Sequence, residues 1–122
     1  MPVAVVDTSA IGALVFGEPE AEKTAERLLD VRMIAPPLLW FELANVCVKK
    51  MKAHPQLRKK LADAFSFARK LPIEVVEVDH QAVIELAIRS KLTAYDASYL
   101  WLAQSTGADL VTLDRMLLKS QI

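Results

Sequence analysis

The sequence predicts a three-layer α/β/α fold around a central parallel sheet of four strands, as one domain over residues 1–122. Three observations carry that prediction. The chain opens on Val3-Ala4-Val5-Val6, an apolar run with three valines, which reads as a strand buried in the middle of a parallel sheet. Short apolar runs then alternate with longer helical patterns, as in parallel strands joined by crossover helices. Two of the runs, Val3–Val6 and Leu110–Leu113, end directly on an aspartate, Asp7 and Asp114. In open α/β sheets the ligand crevice lies outside the carboxyl ends of the strands, so both acids stand where such a fold keeps its chemistry.

The elements follow in order. Ser9 to Phe16 continues from Asp7 as a short helix ending near Gly17. Glu18-Pro19-Glu20 opens a second helix, with proline in its first turn and acids at its positive end; its expected core face is Ala21, Ala25, Leu28 and Leu29. Arg32–Ala35 is the second strand, stopped by Pro36-Pro37. Leu38 to Met51 is the most apolar helix, and its polar residues Glu42, Asn45 and Lys49 fall on one stripe at i, i+3, i+7. His54-Pro55 breaks the pattern. Gln56 to Leu71 is an amphipathic helix with Leu57, Leu61, Ala64, Phe65 and Ala68 facing inward. Pro72 ends it, and Ile73–Val78 is the third strand. Asp79 caps a helix from His80 to Ser90. Thr93 to Thr106 is the next helix, closed by Gly107. Leu110–Leu113 is the fourth strand, and Arg115–Lys119 a final short helix.

Composition narrows the class. The hydrophobic fraction of 53% exceeds the ~45–50% usual for globular domains, a surplus expected to be buried against a partner, as in a dimer. No apolar run reaches the ~18–20 residues of a membrane span, and no basic segment precedes the apolar run from Ala10 to Phe16 as in a signal peptide. The lone cysteine, Cys47, cannot pair within the chain. These features are those of a cytoplasmic protein. The formal net charge is zero but unevenly spread. Residues 1–30 hold six acids against Lys23 and Arg27, whereas residues 43–62 hold Lys49, Lys50, Lys52, Arg58, Lys59 and Lys60 with no acid. Such a basic stretch can meet phosphates, or can simply be the solvated surface of two helices.

Four carboxylates are candidates for chemistry: Asp7, Glu42, Asp96 and Asp114. Glu42 and Asp96 stand among apolar neighbours on helices. If all four faced one rim of the sheet they would repel one another, and a hard divalent cation would relieve them. Oxygen ligands without His or Cys point to Mg2+ or Mn2+ rather than zinc. Such a site suits phosphoryl chemistry. Each acid also has a structural reading. Asp7 and Asp114 can cap the helices that follow them. Glu42 can face solvent, and Asp96 can form a T-x-x-D capping box with Thr93.

Taken together, Val5-Val6-Asp7-Thr8-Ser9-Ala10, Phe41-Glu42-Leu43-Ala44-Asn45-Val46, Leu92-Thr93-Ala94-Tyr95-Asp96-Ala97-Ser98-Tyr99-Leu100 and Leu110-Val111-Thr112-Leu113-Asp114 resemble the motifs of a PIN domain, most of all the VapC-type toxin ribonucleases. They occur in that family's order and cover nearly the whole chain. The resemblance implies a metal-dependent endoribonuclease in which Asp7 and Asp96 chiefly hold Mg2+ or Mn2+ and Glu42 and Asp114 complete the acidic cluster. It implies supporting roles for Thr8, Ser9 and Thr112, and one for Asn45 in orienting a ligand or water. It further implies an RNA substrate, a homodimer and a VapB-like antitoxin. Members often continue through a helix into a fifth edge strand. Here the chain ends at Ile122, soon after Asp114, so that strand is expected to be absent or truncated.

The alternative reading is a catalytically inactive PIN-like module that binds RNA or a protein partner through the same acidic pocket. Two further classes compare less well with the residues. A response-regulator receiver should show paired acids after its first strand and a lysine after a late one. A haloacid-dehalogenase-type phosphatase needs D-x-D where this chain has Asp7-Thr8-Ser9.

Overall fold

The computed structural model describes residues 1–121. Strands β1 (Val3–Val6), β2 (Arg32–Ala35), β3 (Ile73–Val75) and β4 (Asp109–Val111) form one sheet in the order β3-β2-β1-β4, with every pairing parallel. The helices are α1 (Thr8–Val15), α2 (Ala21–Arg27), α3 (Leu38–Ala53), α4 (Arg58–Arg69), α5 (His80–Ser90), α6 (Ala94–Thr106) and α7 (Arg115–Ser120). A 3-10 turn, Pro55–Leu57, precedes α4.

Strand alternation sorts the helices into two layers. Ala4, Val6, Met33, Ala35 and Val111 point to one face and pack with Ile11, Leu39, Leu43 and Ala68 of α1, α3 and α4. Val5, Ile34 and Leu110 point to the other and pack with Leu86, Tyr99, Leu102, Ala103 and Leu117 of α5, α6 and α7. Both faces of the inner strands are therefore dry, which is why β1 and β2 carry no polar residue in their buried positions. The expected three-layer fold with four parallel strands is the one observed. Among the described residues, no helix is long and apolar enough to cross a membrane.

The strand order places the site. From β1 the chain steps outward to β2 and β3, then returns across β1 to put β4 on its other side. The crevice between β1 and β4 is thus the point where the winding reverses, the place where such sheets open at their carboxyl ends.

Several boundaries differ from expectation. The third strand stops at Val75 rather than Val78, although Val76 N still donates to Ala35 O at 2.9 Å. The fourth ends at Val111, because Thr112 turns its hydroxyl to Asp7. The face of α2 is also corrected. Thr24 is its buried residue, Ala25 is exposed, and Leu29 is 69% exposed. The helix ends at Arg27, and Asp30 turns the chain with φ 56°, which leaves Leu29 outside the helical phase. Ala21, Thr24 and Leu28 share the i, i+3, i+7 stripe instead. Leu57 falls in the 3-10 turn and is 39% exposed, so it is a marginal member of the α4 face.

Candidate active site

Asp7 follows β1 directly and is only 3% exposed. It caps α1: its Oδ1 accepts from Ala10 N at 3.0 Å and from Ser9 Oγ at 2.7 Å. Its Oδ2 accepts a short hydrogen bond from Thr112 Oγ1. Burial pushes its carboxyl above the ordinary 3.8. The three hydrogen bonds pull the other way, and the Asp114 charge adds to the rise. Two strand ends are tied together here. Ser9 Oγ also accepts from Leu113 N at 2.8 Å, and Thr112 Oγ1 accepts from Asp114 N at 3.0 Å. The small hydroxyl residues after β1 and β4 therefore knit the crevice around Asp7.

Glu42 reaches the same crevice from α3. Its Oε1 accepts from Tyr99 OH at 2.6 Å and from Thr8 Oγ1 at 2.9 Å, and the two hydroxyls lie 3.1 Å apart. Burial holds the Tyr99 phenol well above its usual 10, and the bond it donates to Glu42 raises it further. Tyr99 is thus a fixed donor, and no protein donor among the described residues reaches Glu42 Oε2.

Asp114 caps α7, with Oδ1 accepting from Met116 N at 2.9 Å and Leu117 N at 3.1 Å. Asp96 lies in the first turn of α6. Its backbone N–H donates to Thr93 Oγ1 at 3.1 Å, half of the expected capping box. The carboxylate does not complete that box. It is half-buried, and burial first, then the charges of Asp114, Glu42 and Asp7, raise its pKa above 3.8. Capping and cavity-facing are therefore compatible: Asp7 and Asp114 each cap a helix through Oδ1 and still line the crevice.

All four carboxylates line one cavity of about 480 Å³, together with Thr8, Ser9 and Tyr99. Among the described residues no three acids close into a ready-made metal shell. The set is open, all-oxygen and mutually repelling, with free lone pairs on Asp96, Glu42 and Asp114. That suits a cation that keeps several of its own waters, as Mg2+ does, better than one held by a tight protein cage.

Thr8, Ser9 and Thr112 are each hydrogen-bonded to a candidate acid. Asn45 is exposed and does not line the cavity, nor does Lys49. The cavity stripe of α3 is Glu42, Val46 and Lys50, at i, i+4, i+8, beside the buried stripe Leu39, Leu43 and Cys47. Tyr99 and Lys50 are the residues that sequence reasoning missed. The signal for Tyr99 was its i+3 spacing from Asp96, and for Lys50 its i+8 spacing from Glu42.

Comparison with known proteins agrees with this geometry. The family model for the PIN domain matches residues 4–120. Two relatives from Pyrobaculum aerophilum match along most of their length. One is named Ribonuclease VapC3, 29% identical, with 93% of this chain and 90% of the relative covered. The other is named Exonuclease VapC9, 34% identical, with 97% and 86% covered. The crystal structure of PAE2754 from the same organism superposes with a TM-score of 0.78 at 28% identity, covering 98% of this chain and 84% of that one. With its topology, its crevice and these relatives in agreement, the chain belongs to the PIN domain family, among its VapC-type members.

Proposed function

We propose that this chain is a divalent-metal-dependent ribonuclease that cuts RNA internally, the toxin of a VapBC-type pair working in the cytoplasm. The observation that carries the reading is the convergence of Asp7, Glu42, Asp96 and Asp114, from four separate stretches of chain, on one cavity at the carboxyl ends of β1 and β4. The names of the two relatives support nuclease chemistry. They differ on mode, one being called an exonuclease, and the circular-RNA test below separates the two.

Asp96 and Asp7 would chiefly hold Mg2+ or Mn2+, with Glu42 and Asp114 completing the set. The bound ion would offset the acids' charge toward RNA, polarise the phosphodiester and lower the pKa of an attacking water. The chain's own residues supply position. Thr112, Ser9 and Ala10 N fix both oxygens of Asp7. Tyr99 and Thr8 fix one oxygen of Glu42 and leave the other to take a water proton or a ligand. A VapB-like antitoxin and a second copy of the chain complete the reading. They would cover apolar surface such as Phe41 and Ile88, which are 78% and 76% exposed.

The test is cleavage of a mixed RNA pool with Mg2+, with Mn2+ and with EDTA, beside Asp96→Asn. Metal-dependent cutting that the variant loses is the expected result. Full activity of Asp96→Asn would sink the metal mechanism. A circular RNA separates the modes, because only internal cutting opens it.

A further inference from the structure

We propose that Lys50 is a substrate-binding residue that grips a backbone phosphate next to the one being cut, and that Glu18 competes with RNA for it. The inference rests on the ribonuclease reading and adds a residue to it.

The cavity is hostile to a polyanion. Besides the four acids of the crevice, its lining includes Glu18 and Glu20, on the segment that leads into α2. A divalent ion held by the four acids would leave Glu20 to repel a phosphate, while Glu18 is already paired with Lys50. Lys50 is the one cation lining the cavity among the described residues. It lies eight residues along α3 from Glu42, a rise of about 12 Å at 1.5 Å per residue. That separation takes it beyond the reacting phosphate and toward a neighbouring one.

Its surroundings are those of a held but unsaturated donor. Lys50 Nζ bonds Glu18 Oε1 at 2.7 Å and lies 5.5 Å from the centre of the Phe16 ring. An ammonium has three N–H donors, and Glu18 takes one. The side chain is 32% exposed, and no second acceptor among the described residues bonds its ammonium. Phe16 restrains the end of a long flexible stem, which lowers the entropy lost when a phosphate is bound. The rest of the basic stretch does not serve this cavity. Lys49 and Lys52 are exposed and outside its lining, and Lys60 lines a separate groove between α1 and α4.

A purely structural Lys50 would only pin the segment before α2 onto α3. The two roles predict different signs for paired substitutions. If Lys50 grips RNA and Glu18 competes, Lys50→Met and Glu18→Gln move RNA affinity in opposite directions. If the pair is only a brace, breaking it from either side acts in the same direction.

The experiment is steady-state cleavage of a fluorescent single-stranded RNA with Mn2+, alongside anisotropy titrations with Ca2+ in its place across a salt series. Lys50→Met is expected to raise KM about tenfold, the low end for a charged hydrogen bond, with kcat within about twofold. It should also flatten the log Kd against log salt slope by about 0.7, one phosphate contact on a single strand. Glu18→Gln should tighten binding about threefold, the scale of a partly exposed ion pair. Lys50→Arg should keep most of the parent's affinity. Unchanged KM and salt slope in Lys50→Met, or the same sign for both substitutions, overturns the proposal while cleavage by the parent leaves the ribonuclease reading standing. RNA binding without cleavage would remove the ribonuclease reading, and the titrations would still decide Lys50. A parent that neither binds nor cuts RNA overturns both.

Discussion

Replacing Thr112 with valine swaps one hydroxyl for a methyl with little change of volume, at a residue 2% exposed. That hydroxyl makes two bonds. It donates to Asp7 Oδ2, and it accepts from Asp114 N at 3.0 Å. A hydrogen bond to a charged group is worth about 1.5–3 kcal/mol, and a neutral one about 1. Part of the loss is avoided if Asp7 takes up a proton, so we expect Thr112→Val to cost about 2.5 kcal/mol at pH 7. For a chain of 122 residues that is a fall in Tm of about 10 °C. The assay is urea unfolding at pH 7 in a double-mutant cycle with Asp7→Asn. An Asn at position 7 can still cap α1 but carries no charge, so Thr112→Val should cost about 1 kcal/mol in that background. Thr112→Ser, which keeps the hydroxyl, should lie closer to the parent. A cost of under about 0.5 kcal/mol, or an equal cost in both backgrounds, would refute the idea that Thr112 holds the Asp7 carboxylate.

Further predictions concern the other acids, Tyr99 and α1. Asp96 has its pKa raised in the fold, so the folded chain binds more protons than the unfolded one between 3.8 and the raised value. Its ionisation therefore weakens the metal-free protein as pH rises through that window. Asp96→Asn should raise the Tm of metal-free protein at pH 7, and the gain should vanish below pH 3.8; a lower Tm at pH 7 would contradict the repulsion. The same substitution should lower cleavage on the order of 10³-fold, the rate equivalent of several kcal/mol of metal stabilisation. Tyr99→Phe removes the 2.6 Å bond to Glu42 while keeping a buried ring. It should cost about 1.5 kcal/mol and weaken Mn2+ binding about tenfold by calorimetry, whereas parent-like Mn2+ affinity would leave Tyr99 only a packing role. Gly12 is helical, and a Cβ there would meet only Leu43 Cδ1 and Phe16 Cδ2, both at 3.9 Å. Gly12→Ala should therefore add about 0.5–1 kcal/mol, seen as a higher urea midpoint; a lower one would reveal a contact that this space does not show.

The sheet and the two strand-end acids, Asp7 and Asp114, were legible in the sequence because their signals are local. A strand dry on both faces must be a short apolar run, and β1 and β2 are written that way. An aspartate straight after such a run must leave the sheet at its carboxyl edge, as Asp7 does. Three helix starts were equally plain, since Asp79, Thr93 and Asp114 each accept from the backbone N–H groups of their own first turn, whereas α2 starts at Ala21 rather than with Pro19 in its first turn and α4 at Arg58 rather than Gln56. Helix phase was not legible. On α3 the stripe through Asn45 and the stripe through Val46 and Lys50 are both possible continuations from Glu42. Only the packing of Leu39 and Leu43 against the sheet, with Cys47 buried beside α4, decides which one meets the crevice. The same ambiguity misplaced Ala25 and Leu29 on α2, where a helix of seven residues has too few turns to define its own face.

By itself, then, the sequence determined the order of elements, the direction of the strands and the place of Asp7 and Asp114 after strands; Glu42 and Asp96 join them only through tertiary packing. Tertiary structure decided the partners of those acids. Tyr99 meets Glu42 across 57 positions, and Thr112 meets Asp7 across 105. Lys50 meets Glu18 across 32. Local pattern constrains a residue's neighbours within about a turn of helix or a strand pair. Contacts at these separations exist only once β4 has folded back beside β1 and the two helical layers have closed on the sheet.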